Sequence, residues 1–159
     1  MKDIKIQKVR NGKGIIATKD FKRDEVIFLL TGKVIDCDVS AKLDKKTRDN
    51  TYRYDEDYYL SPKGKTGDFL NHSCKPNAKV TKFKDGIFIR SIISIEKSSE
   101  VLIDYSTILA RDDVWTMKCN CGEIDCRKII KNIGDLPKDV FAKYVRLRII
   151  PKYILNIKS

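Results

Sequence analysis

A single histidine, His72, stands among the 159 residues, and nothing resembling a carboxylate dyad or a Ser-His-Asp set accompanies it. That leaves no evident acid–base or acyl-transfer machinery of those kinds. Long apolar runs are also missing, so no segment reads as a membrane span. The N-terminus, Met1-Lys2-Asp3-Ile4, is charged and alternating and lacks the apolar core of a signal peptide. Internal repeats and low-complexity linkers are absent, and a chain of this length suits one compact domain. These absences point to an intracellular, cytoplasmic protein without a membrane partner.

What is present is cysteine and positive charge. Five cysteines in a reducing compartment argue for metal rather than a disulfide framework. The formal net charge is +11, and the hydrophobic fraction of 42% supports a real but modest core, to which a metal could add stability. The basic residues gather at the ends: 13 Lys/Arg against 8 Asp/Glu in residues 1–50, and 11 against 6 in 111–159, with a nearly neutral middle. A basic surface suits nucleic acid or a partner bound to it, although lysine-rich composition also serves solubility alone.

Short strand-like segments dominate up to residue 105, so the fold class reads as mainly β with short helices. An edge strand begins at Ile4 and Ile6. A tight turn at Asn11-Gly12-Lys13-Gly14 leads into an apolar run to Thr18, and Val26–Leu30 reads as buried. Alternation over Lys33–Val39 places Ile35, Cys37 and Val39 on one face. Residues 40–50 are polar and read as a loop or short helix. Tyr58-Tyr59-Leu60 reads as a strand, residues 79–84 and 86–92 as a hairpin about Lys84-Asp85-Gly86, and Val101–Asp104 as a last short strand. Residues 135–150 carry helical spacing, with Val140, Phe141, Tyr144, Val145 and Leu147 as the apolar stripe and Pro151 as the stop.

Cys119-Asn120-Cys121-Gly122-Glu123-Ile124-Asp125-Cys126 is a C-x-C-x4-C cluster that suits a soft metal. Gly122 lets the backbone double back so that the sulfurs converge. Structural zinc takes four ligands, and the cluster supplies three. Among Cys37, Cys74 and His72, the loop residue Cys74 is the fourth ligand chosen here, since Cys37 reads as a small buried thiol. Four thiolates leave no open position, so the zinc is structural.

Three further segments matter together: Gly12-Lys13-Gly14-Ile15-Ile16-Ala17, Asn71-His72-Ser73-Cys74-Lys75-Pro76-Asn77, and Glu100-Val101-Leu102-Ile103-Asp104-Tyr105. Their order and spacing, followed by the cysteine cluster, closely resemble the SET-domain protein-lysine methyltransferases. The likeness extends to small stand-alone members of bacterial type that carry a post-SET zinc segment. It covers about residues 4–130 and divides the chain into a SET domain (1–110), a post-SET zinc segment (111–130) and a helical tail (131–159), as one structural unit. It implies the β-clip SET fold: several small curved sheets, a knot-like threaded C-terminal segment and a C-terminal helix. It also implies that Gly12, Lys13, Gly14, Asn71 and His72 bind S-adenosylmethionine. Tyr105 would stand at the methyl-transfer centre, and Cys74, Cys119, Cys121 and Cys126 would hold one zinc ion. The chain departs from the family at Asp68-Phe69-Leu70, at Ser98-Ser99-Glu100 and at Leu30-Thr31-Gly32-Lys33, which bears on substrate choice and rate more than on reaction class.

The function this implies is methyl transfer to a lysine of a protein substrate, histone-like or otherwise associated with nucleic acid. Chromatin would be its location in a eukaryotic cell or a eukaryotic host. A non-catalytic SET-fold adaptor and a nucleic-acid-binding zinc module are the alternatives. Tyr52, Tyr54, Tyr58 and Tyr59 are candidates for lining a lysine channel, while Asp55-Glu56-Asp57 reads as a solvated turn.

Overall fold

The computed structural model describes residues 2–40, 42–83 and 86–157. Its strands run in chain order as β1 (Ile4–Val9), β2 (Gly12–Ala17), β3 (Val26–Leu30), β4 (Lys33–Asp36), β5 (Tyr52–Arg53), β6 (Tyr58–Ser61), β7 (Asn71–His72), β8 (Ala78–Phe83), β9 (Gly86–Ser91), β10 (Leu102–Ile103), β11 (Met117–Lys118) and β12 (Ile129–Ile130). Four short helices, α1 (Cys37–Ser40), α2 (Lys45–Asp49), α3 (Lys138–Arg146) and α4 (Lys152–Asn156), complete the regular structure with three single 3-10 turns. The strands make five small sheets: β1-β2, β3-β9-β8, β4-β6-β5, β11-β12, and β7 with β10. The fold is therefore mainly β with short helices, as the sequence indicates. No helix among the described residues is long and apolar enough to cross a membrane.

Among the described residues only β7 and β10 pair in parallel, with Asn71 opposite Leu102 and His72 opposite Ile103. Ser73 N donates to Ile103 O at 2.9 Å and Asn77 N to Leu102 O at 3.1 Å, so the chain runs along β10 over residues 71–73 and loops back to Leu102 at Asn77. Asn77 locks this contact from its side chain, donating to Glu100 O and accepting from Leu102 N, both at 2.8 Å. Two apolar clusters support the crossing. The first joins the sheets through Ile15, Phe21, Val80, Ile89 and Ile103, and the second seats the tail through Ile92, Ala110, Ile133, Ile150 and Ile154. Each buried isoleucine, valine or phenylalanine among these contributes about 1.5–3 kcal/mol relative to exposure.

Four local expectations are corrected. Val26–Leu30 is a strand but not a buried one, since Val26 and Leu29 are exposed. Cys37 does not sit mid-strand: β4 ends at Asp36, whose Oδ1 accepts from Asp38 N at 2.8 Å and turns the chain into α1. The first turn lies at Arg10-Asn11, so Gly14 is within β2. The tail forms two helices rather than one over 135–150. Arg148 adopts φ +53° after α3, with Ile149 N bonded to Tyr144 O and Arg148 N to Val145 O, a Schellman stop made without glycine. The β8–β9 hairpin forms as read, but its turn residues Lys84 and Asp85 lie outside the described residues.

Candidate active site: a phenol between two cavities beside a thiol cluster

The loop after β7 and the segment after β11 meet at sulfur. One ligand atom each from His72, Cys74, Cys119 and Cys121 lies within 4.8 Å of all the others. Cys74 Sγ and Cys119 Sγ are 3.8 Å apart. Zinc–sulfur bonds of about 2.3 Å at tetrahedral angles put sulfurs about 3.8 Å apart, so this pair has the spacing of two zinc ligands. Cys126 Sγ neighbours the thiols of Cys119 and Cys121. Gly122 sits at φ +83°, and a Cβ there would meet the Arg10 guanidinium at 1.8 Å, so the knuckle can fold tightly against the first hairpin. Burial pushes the Cys74 thiol up to about 11 and the Cys119 thiol up as well. At Cys121 burial is outweighed by the amides of the loops, which bring it down to about 7. Thiols packed this closely ionise together only with a cation among them.

His72 is a member of this mutually close set, whereas Cys126, expected as a ligand, is not. Tyr105 N–H points at Nδ1 from 3.1 Å, so Nδ1 offers its lone pair and the neutral ring carries its proton on Nε2. That Nε2 faces Cys74 Sγ at 3.4 Å, an N–H donor to sulfur. Burial lowers the His72 pKa to about 4, which keeps the ring neutral.

Tyr105 opens the 3-10 turn Tyr105–Ile108, capped by Asp104, whose carboxylate accepts from Ser106 N at 3.0 Å. Its ring lies 5.3 Å from His72 and 6.4 Å from Trp115. Its hydroxyl donates to Leu70 O at 2.7 Å. Burial, then the charge of Glu100, raises its pKa, so the group stays a neutral phenol. With the proton committed to Leu70, the oxygen is left as an acceptor.

Two cavities meet at this residue. The larger, about 600 Å³, is lined by Tyr52, Tyr59, Leu70, Ile108 and Leu109, among others. The smaller, about 380 Å³, is lined by Asn11, Asn71, His72, Lys118, Asn120 and Cys121, among others. Asp49, Asn50, Tyr105 and Trp115 belong to both and form the wall between them. Trp115 Nε1 donates to Asp49 Oδ1 at 2.8 Å and ties the segment before β11 to α2 across that wall. Beside the larger cavity, Arg53 donates to Tyr59 Oη at 2.9 Å and pairs with Asp112 at 3.1 Å and Asp113 at 3.3 Å, while Tyr59 donates to Asp113.

The smaller cavity receives the residues expected at a cofactor site unevenly. Asn71 and His72 line it, whereas the first turn contributes Asn11 rather than Gly12, Lys13 or Gly14. The glycine turn acts through Asn71, whose Nδ2 donates to Lys13 O at 3.0 Å and Glu100 Oε1 at 2.8 Å. A Cβ on Gly14 would stand 2.2 Å from Glu100 Oε1 and 3.0 Å from Asn71 Nδ2. Of the candidate channel tyrosines, Tyr52 and Tyr59 line the larger cavity, while Tyr54 faces Lys82 at 4.2 Å and Tyr58 is exposed.

Several contributors carry no local signal in sequence. Asp49 and Trp115 are 66 positions apart, and Asp104 binds Arg127 and Tyr144 from 23 and 40 positions away. Asn77 closes the segment 71–77 and Arg127 adjoins the cysteine knuckle, so these two carry a local signal.

A SET domain family model matches residues 12–106. A histone-lysine N-methyltransferase described as H3 lysine-36 specific, from Candida albicans, is 30% identical over 140 residues, 79% of this chain and 16% of that protein. The putative histone-lysine N-methyltransferase ASHH4 of Arabidopsis thaliana is 29% identical over 137 residues, 77% of this chain and 38% of that protein. Human histone-lysine N-methyltransferase 2D is 29% identical over 128 residues, 74% of this chain and 2% of that protein. The chain thus spans well under half the length of these relatives.

Proposed function

The chain belongs to the SET-domain family, and from that premise we propose that it is an S-adenosylmethionine-dependent protein-lysine N-methyltransferase acting on a basic, histone-like protein. The observation that carries this reading is Tyr105: a neutral phenol, its proton held by Leu70 O, on the wall shared by two cavities. Methyl transfer needs the acceptor nitrogen, the methyl and the donor sulfur brought into line, a positioning problem that two cavities meeting at one residue can solve.

The smaller cavity fits the donor in chemistry: Asn11, Asn120 and the side-chain oxygen of Asn71 offer uncharged polar groups to an amino acid and a nucleoside, while His72, both of whose nitrogens are engaged, contributes its ring to the wall. When bound, S-adenosylmethionine supplies a methyl group on a positively charged sulfur. The larger cavity takes the lysine. Its lining carries Asp49, Glu56, Asp68, Asp112 and Asp113 against Arg48 and Arg53, an acidic chamber in a protein of net charge +11. Tyr52, Tyr59, Tyr105 and Trp115 give it aromatic faces that favour an ammonium or methylammonium group. The amine reacts only as its free base. Starting from a reference pKa of about 10.4, deprotonation at pH 7 costs about 4.6 kcal/mol, which a desolvated chamber next to a cation reduces. The Tyr105 oxygen accepts an N–H of that amine and turns its lone pair toward the neighbouring cavity.

Cys74, Cys119, Cys121 and Cys126 hold one structural zinc ion in this reading. The Cys74–Cys119 spacing supports it, and the proton on His72 Nε2 argues against His72 as the fourth ligand. Transfer of radiolabelled methyl from S-adenosylmethionine to histones and to a cell lysate, with mass spectrometry of the labelled band, tests the function. Label on lysine side chains supports it. Cofactor binding with no label on any protein sinks it in favour of a SET-fold adaptor.

A further inference from the structure

Asp104 is fully buried, and its carboxylate is enclosed on every side. Arg127 grips it with two parallel bonds, Nη1 to Oδ2 and Nη2 to Oδ1, both 2.6 Å. Tyr144 donates to Oδ2 at 2.9 Å and Ser106 N to Oδ1 at 3.0 Å. A buried ion pair is a weak device for stability, because an apolar pair of similar volume often serves as well. Its place in the chain supplies a better reason for it. Asp104 immediately precedes Tyr105, and Arg127 immediately follows Cys126. The main-chain N–H of Arg127 donates to Cys74 Sγ at 3.4 Å, while its guanidinium also reaches Ser106 Oγ at 3.2 Å. One residue therefore spans from the sulfur cluster to both neighbours of Tyr105. Two parallel bonds fix the rotation of the carboxylate as well as its distance, which a single bond would not do. Among the described residues, Tyr105 is oriented by its N–H to His72 and its Oη–H to Leu70 O.

We infer that Arg127 is a positioning residue for methyl transfer. It holds the Asp104–Tyr105 peptide in the register that aims Tyr105 Oη at the wall between the two cavities, and Tyr144 braces the same carboxylate from the tail. The activity readout rests on the methyltransferase reading above, while the geometric readout does not.

The test uses the full zinc-loaded chain. Arg127→Lys keeps the charge and removes the fork. Turnover should fall about tenfold or more, while the KM for the protein acceptor, the affinity for S-adenosylmethionine and the zinc content stay within about twofold of wild type. Amide hydrogen exchange at Tyr105–Thr107 should accelerate about tenfold with β8 and β9 unchanged. Tyr144→Phe, which deletes one oxygen and keeps the ring, should move both readouts the same way by a smaller factor, and it decides the matter if Arg127→Lys does not fold. Wild-type turnover and exchange in a folded variant overturns the proposal. So does a turnover loss that merely tracks lost zinc or lost cofactor affinity. If the wild-type chain methylates nothing, the function above falls, and exchange at Tyr105 alone decides: acceleration upholds the clamp and its absence overturns it.

Discussion

Replacing Tyr105 by phenylalanine deletes one oxygen and leaves the ring against His72 and Trp115. Two effects follow from that deletion, and they differ in size. The first concerns stability. Leu70 O, in a buried residue, loses its donor at 2.7 Å, and a buried acceptor left unpaired costs about 1–3 kcal/mol. In a chain of this length that lowers the melting temperature by only about 2–4 °C per kcal/mol, so the protein stays folded at assay temperature. The second concerns rate. If the oxygen aligns the amine in the transition state, the loss is roughly 3–4 kcal/mol, or two to three decades in turnover. Zinc content should be unchanged, because the hydroxyl lies on the opposite end of the residue from the N–H that meets His72. Cofactor affinity should be nearly unchanged too, so the defect belongs in turnover. Single-turnover methyl transfer, with cofactor binding by calorimetry on the same sample, separates the two effects. A folded Tyr105→Phe protein that methylates at the wild-type rate refutes the role given to this hydroxyl.

Cys119→Ser should lower metal content and loosen the chain around Cys126, as seen by atomic absorption and by proteolysis, whereas Cys37→Ala should keep its zinc. Loss of metal from the Cys37 variant with retention in Cys74→Ala would reverse the ligand assignment. Asn71→Ala leaves Lys13 O and Glu100 Oε1 without their shared donor and should cost about 1–3 kcal/mol of stability together with cofactor affinity. Unchanged calorimetric affinity in a folded variant would remove Asn71 from the site. The rate should climb with pH from 7 toward 9, since the reactive amine is a base whose free form grows with pH. No fall from Tyr105 ionisation is expected in that range, because burial raises its pKa. A rate that drops between pH 8 and 9 in a stable protein would mean that the phenol, or another acid, must stay protonated there and titrates lower than the geometry indicates.

The parts that were legible in the sequence share a local cause. Strands such as Gly86–Ser91 announce themselves because every second residue must be apolar to reach the core, whereas the apolar run Val26–Leu30 reads as buried although Val26 and Leu29 are exposed. The segment 71–77 and the cysteine knuckle are readable because their chemistry is packed into a few consecutive residues. Cys37 was misplaced because alternation persists to Val39 although the Asp36 side chain has already turned the backbone. The early end of α3 is invisible because Arg148, not glycine, takes the left-handed conformation. Of the wall between the cavities, Tyr105 alone is legible in the sequence. Asp49–Trp115 and Asp104–Arg127–Tyr144 are long-range pairs, and no spacing rule joins residues brought together by the fold.

The central claim is that this chain moves a methyl group from S-adenosylmethionine to a lysine side chain. The most direct measurement incubates the purified zinc-loaded protein with methyl-labelled S-adenosylmethionine and core histones, then sequences the labelled peptides by mass spectrometry. The account predicts label on the ε-nitrogen of lysine, lost on replacing Tyr105 by phenylalanine. Label confined to other side chains, or none under conditions where the cofactor binds, would contradict it.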